Sequence, residues 1–294
     1  MQLDIFEHSR DVMLRSDVVG ALERREPVAA HAAWQILRTE FPANECLPAL
    51  EVLLSALERP TGAFFADHAA AREARRELQQ QIEPAARRML GQATAAGWLA
   101  LQWQALAQRA AQLPFHAEQS EEHAAPLSLR AGDWQAATAA VARIDSWRRI
   151  PAPLQWMAEG RYCAQGLDAT WPLLAELAWL SPARFDALNR LLRDPVLQAL
   201  HRKFKADYEG SDEGEGDVSD LAWFPAWVLT EKPALAHLLS GAMPSLNTAP
   251  EQAMRLILEL LRLERQGRHP ELVERRKTLR SVGPSIYRAY MRSR

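Results

Sequence analysis

Residues 250–266, PEQAMRLILELLRLERQ, decide the fold class. Apolar residues recur there at helical spacing in two stripes on nearly opposite sides of one helix: Met254, Ile257, Leu258 and Leu261, and Leu256, Leu260 and Leu263. A helix with two apolar faces packs between neighbours on both sides. Stacked helical hairpins produce that situation, because each inner helix touches the hairpins before and after it.

The composition of the whole chain favours helices as well. Its 294 residues include 51 alanines and 41 leucines, against 11 valines and 7 isoleucines. Strong helix formers therefore dominate and β-branched residues are scarce, which excludes an all-β fold. With 48% hydrophobic and 24% charged residues, the chain is also too apolar for wholesale disorder. We predict an all-α protein.

Turn signals recur along the chain at repeat-like intervals. Gly132 and Gly166 lie 34 residues apart, each between two helical patterns. The N-terminal segment has a turn residue, a small residue, an aromatic residue, a closing proline and an asparagine at similar offsets: Arg25, Ala30, Trp34, Pro42 and Asn44. In the C-terminal segment, Gly267 takes the turn position and Pro284 the closing one.

These offsets resemble those of the tetratricopeptide repeat (TPR), a two-helix unit of 34 residues. The resemblance covers three segments: about 10–44, 128–182 and 250–294. It departs from the pattern where Trp171 and Leu272 replace the small residue and where Pro182 comes one residue early. The resemblance implies stacked antiparallel helical hairpins in a TPR-like α-solenoid. The competing interpretation is an irregular all-α domain that matches the period by chance.

The predicted organisation is one continuous solenoid in four segments. These are N-terminal hairpins over 1–113, TPR-like hairpins over 127–206, an acidic flexible loop over 207–220 and C-terminal hairpins over 221–294. The loop carries seven acidic residues and no basic one. The loop is expected to be solvated and to face away from the basic C-terminal helices; the competing hypothesis is that it screens them.

Motifs for catalysis, cofactors and metals are missing from the sequence. It contains no phosphate-binding glycine loop, no dinucleotide fingerprint, no nucleophile elbow and no histidine pair at zinc-binding spacing. The cysteines, Cys46 and Cys163, are far apart and in no C-x-x-C motif. We therefore expect no cofactor, no metal and no enzymatic activity, with an enzyme of unidentified class as an alternative.

The sequence also bears on the compartment of the protein. The N-terminal residues MQLDIFE lack the basic and apolar regions of a secretory signal. No stretch approaches the 18 or so uncharged apolar residues that a membrane-spanning helix needs. We expect a cytoplasmic protein without membrane contact.

The leading functional hypothesis is a non-enzymatic scaffold or adaptor that binds a peptide or a partner helix on the concave face of a solenoid. The alternative is a nucleic-acid or polyanion binder that uses the basic C-terminal helices, although a net charge of −2 argues against it. The candidate partner-binding residues are four basic and two aromatic side chains: Arg275, Arg276, Lys277, Arg280, Trp223 and Trp227. For the two tryptophans, core packing is the competing interpretation.

Overall fold

The computed structural model describes residues 2–59, 62–208, 218–244 and 247–294. Helices make up 81% of the structure, and no strand occurs in these ranges. The predicted all-α class is confirmed. The chain divides into two compact units, Met1–Asp133 and Trp134–Arg294.

The first unit contains seven α-helices in its described residues: α1 Gln2–Glu23, α2 Pro27–Glu40, α3 Leu47–Glu58, α4 His68–Glu77, α5 Glu83–Met89, α6 Gln92–Arg109 and α7 Ala124–Ala131. Helices α1 and α2 form a hairpin, and α3 packs against both of them. Helix α5 then packs on α3, and α6 packs on α5 and α7. Most of these contacts join helices that lie close together in the sequence.

Helices α4 and α5 are joined by a single π-helical turn, Leu78–Ile82. Pro84 lies just after this turn, and a proline cannot donate the hydrogen bond that an α-helix needs there. The helix is wider over this turn, and the Glu83 amide donates to the Leu78 carbonyl five residues earlier. The widened turn places Leu78 and Ile82 in the core of the first unit.

The second unit contains ten α-helices in its described residues: α8 Trp134–Ala142, α9 Pro151–Gln165, α10 Leu167–Leu180, α11 Pro182–Leu192, α12 Pro195–Asp207, α13 Phe224–Glu231, α14 Ala236–Leu239, α15 Ala249–Gln266, α16 His269–Val282 and α17 Pro284–Arg292. Helix α9 packs between α8 and α10. Helix α13 lies centrally and contacts α10, α12, α15 and α17. Large rings fill its surroundings, among them Trp171, Phe224 and Trp227, all nearly inaccessible to solvent.

The helix that carries the two apolar stripes is α15. It packs against both α13 and α16. Residues of both stripes are buried, including Ile257, Leu260 and Leu263. The prediction that this helix lies between neighbours is confirmed.

The four predicted turn residues all end a helix with positive φ. The φ angles are 58° at Arg25, 76° at Gly132, 82° at Gly166 and 66° at Gly267. Hairpins form at three of them, between α1 and α2, α9 and α10, and α15 and α16. Gly132 lies next to the boundary between the two units, where α7 packs on α6 and α8 on α9, and the hairpin expected there stays a prediction. The continuous solenoid stays a prediction.

Trp34 of α2 should be a main contributor to the stability of the first unit. Its side chain is 7% exposed, in the helix that packs on α1 and α3. We expect Trp34→Ala to lower the free energy of unfolding by about 3–5 kcal/mol, because the cavity cannot close completely. Urea denaturation followed by circular dichroism measures this loss. Val28→Ala, at an 84% exposed position of the same helix, should change it by less than about 0.5 kcal/mol.

Candidate functional site

The two predicted tryptophans lie inside the second unit. Trp227 is 1% exposed, and its ring centroid lies 5.4 Å from that of Phe204. Trp223 is half-buried, and its ring covers Gly283 so closely that an added Cβ would lie 2.7 Å from it. Trp227 therefore packs in the core and offers no surface to a partner. The aromatic residues that lie close together in the sequence around Trp223 and Trp227 therefore take part in packing within the second unit.

The predicted basic residues of α16 are largely paired with acidic ones. Arg275 donates to Glu259 at 2.9 Å and Lys277 to Glu274 at 2.8 Å. Arg276 lies 3.4 Å from Glu264. Glu259 and Glu264 belong to α15, so the hairpin neutralises part of its own positive charge. Arg280 is exposed and has no ion-pair partner among the residues described.

The interior of the predicted acidic loop, 209–217, lies outside the described residues. Its two described ends lie near α17. Burial and the nearby Asp220 raise the pKa of the Tyr208 hydroxyl, whereas Arg288 of α17 lowers it. The ring of Tyr208 stacks on Phe204 with centroids 4.7 Å apart. The loop therefore begins and ends close to one basic residue of the C-terminal helices.

Asp186 and His201 come closest to a catalytic arrangement. Asp186 Oδ1 lies 3.3 Å from His201 Nε2, but outside hydrogen-bonding geometry. Both residues are buried, and in the described ranges no hydroxyl or thiol hydrogen-bonds to His201. A base without a nucleophile or an open pocket does not make an active site. No group of three metal-ligating side chains occurs in the described chain either.

A cleft in the first unit has the features of a binding site. It lies between α3, the α4–α5 segment and α6, and its cavity measures about 100 Å³. Its floor is apolar, with Leu78, Ile82 and Leu106. Three arginines line it: Arg25, Arg59 and Arg109. We call it the arginine cleft.

The three arginines reach the cleft from different helix ends. Arg25 lies in the turn between α1 and α2, Arg59 directly follows α3, and Arg109 is the last residue of α6. At Arg25 the backbone is left-handed, which costs a residue with a Cβ about 1–2 kcal/mol relative to its usual conformation. The turn thus holds a bulky residue where glycine is usual.

Two of these arginines have partners and one does not. Arg59 forms a two-pronged ion pair with Glu77. Arg109 Nε donates to the Ala63 carbonyl at 3.1 Å, and its guanidinium lies 4.1 Å from the centre of the Phe65 ring. The guanidinium of Arg25 lies over Trp98, 5.5 Å from the ring centroid. Its Nη1 is buried and meets no acceptor within the described ranges, and burial lowers its pKa.

Sequence reasoning did not find the arginine cleft. Its charged residues are separated by more than 30 positions, so no local motif joins them. The one available signal was an arginine at a turn position where the repeat pattern has glycine.

Comparison with known protein families, with curated proteins and with solved structures gives no match. Within the described ranges, no helix combines the length and the apolar character needed to cross a bilayer. The geometry of the chain itself is therefore the basis of the functional argument.

His201 should make the second unit sensitive to acid. Burial, with Lys205 and Arg190 nearby, lowers the pKa of His201 from 6.5, although Asp186 opposes the shift. The folded state therefore binds a proton less readily than the unfolded state. The contribution of neutral His201 to the free energy of unfolding is complete above about pH 6.5. It is lost as the pH falls through the pKa that His201 has in the folded state.

We expect the free energy of unfolding to decline as the pH is lowered below about 6.5, and His201→Gln to flatten that decline. Urea unfolding at a series of pH values measures it. His237→Gln, at an exposed position, is the matched control and should leave the slope as in the wild type. Equal slopes for both variants would show that His201 is not the sensitive group.

Proposed function

We propose that this chain is a non-enzymatic binding protein, in which TPR-like helical hairpins hold an acidic segment of a partner protein in the arginine cleft. The observation that carries the proposal is the cleft itself, where three arginines surround an apolar floor. Clefts of mixed apolar and charged lining are the usual form of binding sites. Glu77 is already engaged by Arg59, so the arginines outnumber the carboxylates there.

The order of helix packing in the first unit supports the TPR-like part of the proposal. Helix α3 contacts both members of the α1–α2 hairpin, which is how one repeat packs on the next in a solenoid. A groove then opens between consecutive hairpins. The arginine cleft lies at such a position, with α3 on one side and α6 on the other.

The lining indicates the chemistry of the partner. Leu101 is 45% exposed at the edge of the cleft, next to the buried floor. A segment with both carboxylates and aliphatic side chains would pair with the arginines and also bury apolar surface. The alternative site on α16 is less favourable, because Arg275, Arg276 and Lys277 already have acidic partners.

A peptide-binding experiment tests the proposal. We expect the full chain to bind a fluorescein-labelled peptide of alternating glutamate and leucine, measured by fluorescence anisotropy. A peptide of alternating lysine and leucine should not bind. Leu101→Glu should weaken the glutamate–leucine complex about tenfold or more, a loss of about 1.4 kcal/mol, by adding repulsion at the edge of the cleft.

The matched control is Leu191→Glu, at a 57% exposed leucine of α11 in the second unit. It adds the same charge to the protein away from the cleft and should leave the affinity unchanged. Equal weakening by both substitutions would mean that overall charge governs binding. Loss of binding in an Arg275→Ala, Arg276→Ala double variant, with Leu101→Glu unaffected, would move the site to α16.

A further inference from the structure

We infer that Arg25 is the anchor of the arginine cleft and that its guanidinium binds a carboxylate attached to an aliphatic chain. The inference rests on the proposed function, because it names the chemical group of the partner that enters the cleft. Three observations carry it: the backbone at Arg25, the state of its guanidinium and the size of the cavity.

The backbone at Arg25 repeats a turn found elsewhere in the chain. The Glu26 amide donates to the Ala21 carbonyl, and the Arg25 amide donates to the Leu22 carbonyl. This pair of hydrogen bonds defines the Schellman turn, whose left-handed residue is usually glycine. Here that residue is Arg25, with φ of 58°.

Two other helices of the chain end in the same turn. At the end of α7, Asp133 donates to Ser128 and Gly132 to Leu129; at the end of α15, Arg268 donates to Leu263 and Gly267 to Glu264. Glycine takes the left-handed position in both. The chain thus uses glycine for this geometry, and the arginine of the first turn adds strain without improving the turn. What it adds is a side chain that reaches the arginine cleft.

The guanidinium of Arg25 is placed for a ligand. It lies over the face of Trp98, whose indole N–H donates to the Leu22 carbonyl and so holds the ring in place. A guanidinium packed on a ring keeps its N–H edge available for an acceptor. Nη1 is buried without a protein acceptor in the described part of the chain. A buried donor of this kind favours a ligand that supplies the missing oxygen.

Charge, cavity size and the apolar floor together select the chemical class of that ligand. Arg59 is compensated by Glu77, whereas Arg109 pairs with a neutral carbonyl, so Arg25 and Arg109 leave two positive charges at the cleft. That charge attracts a carboxylate or a phosphate alike, so the cavity size and the apolar floor distinguish the two. The cavity of about 100 Å³ equals about three water volumes and accommodates a short carboxylate. The apolar floor, with Leu78, Ile82 and Leu106, favours an attached aliphatic chain.

The experiment is an NMR titration of the full chain that follows the indole N–H of Trp98. The probes are propionate, its uncharged isostere propionamide, and inorganic phosphate, at constant ionic strength and pH 7. We expect propionate to shift this resonance with saturation, propionamide to leave it unchanged, and phosphate to bind at least tenfold more weakly than propionate.

The deciding variant is Arg25→Gly. Glycine removes the strain of the left-handed backbone together with a buried donor that has no described acceptor, so the variant should fold and melt no lower than the wild type. Its propionate affinity should fall at least tenfold. Arg193→Gly is the matched control, since Arg193 is left-handed with φ of 51° but exposed in the second unit. It should bind propionate as the wild type does.

Two peptides show whether the carboxylate comes from a side chain or from a chain terminus. One carries a single glutamate side chain and an amidated end; the other carries a free terminal carboxylate after leucine. Binding of either peptide that is lost in Arg25→Gly supports the inference.

Failure of the inference is distinguishable from failure of the proposed function. If Arg25→Gly binds propionate as tightly as the wild type, or if phosphate binds more tightly than propionate, the inference is overturned. Binding of the glutamate–leucine peptide can still persist through Arg59 and Arg109. If propionate binds through Arg25 while that peptide does not bind at all, the proposed function fails and the carboxylate site stands.

Discussion

A turn residue with positive φ is the constraint on which the hairpins of this protein depend. Two helices can pack along their length only if the chain reverses within a few residues, and the last carbonyl groups of the first helix then need donors. The Schellman hydrogen bonds at Arg25 and Gly267 provide both the reversal and the donors. With that geometry fixed, α1 packs against α2 and α15 packs against α16. Without it these helices would lose that packing, and isolated helices of this length are only marginally stable in water.

Charge pairing within each unit decides where a charged ligand can bind. The basic segment of α16 looks like an anion-binding surface in the sequence, but acidic residues of α15 lie across the hairpin and pair with it. Exposed pairs of this kind add little stability, yet they lower the local potential that a polyanion would experience. In the arginine cleft the balance is reversed, since Glu77 compensates Arg59 while Arg25 meets no carboxylate in the described chain. The distribution of acids across packed helices therefore matters more than the charge of any one segment.

Local patterns gave reliable predictions, and features assembled from distant segments did not. The two stripes of α15 and the turns at Arg25, Gly166 and Gly267 depend on neighbours within one or two helical turns, so they could be predicted. The unit boundary next to Gly132 could not be predicted, because the backbone geometry of a turn residue does not show where one compact unit ends. The arginine cleft was missed for the same reason: its lining comes from the first turn, α3, α4 and α6. Trp227 shows the limit of a local pattern in another way. Several aromatic residues close together in the sequence made it a candidate for partner binding, but the same pattern occurs in a core, where Trp227 lies.

Backbone strain by itself does not mark a site in this protein. Four described residues other than glycine have positive φ: Arg25, Ser146, Arg193 and Asn247. Asparagine tolerates that conformation well, and Arg193 is exposed, so neither calls for a functional explanation. Arg25 differs because the strained backbone coincides with a buried donor that no described acceptor satisfies and with a cavity beside it. Strain, desolvation and an unfilled hydrogen bond each destabilise the free protein, and a ligand carboxylate would relieve the last two. Their coincidence at one side chain is the physical reason for placing the binding site at Arg25 rather than at the more conspicuous basic helix.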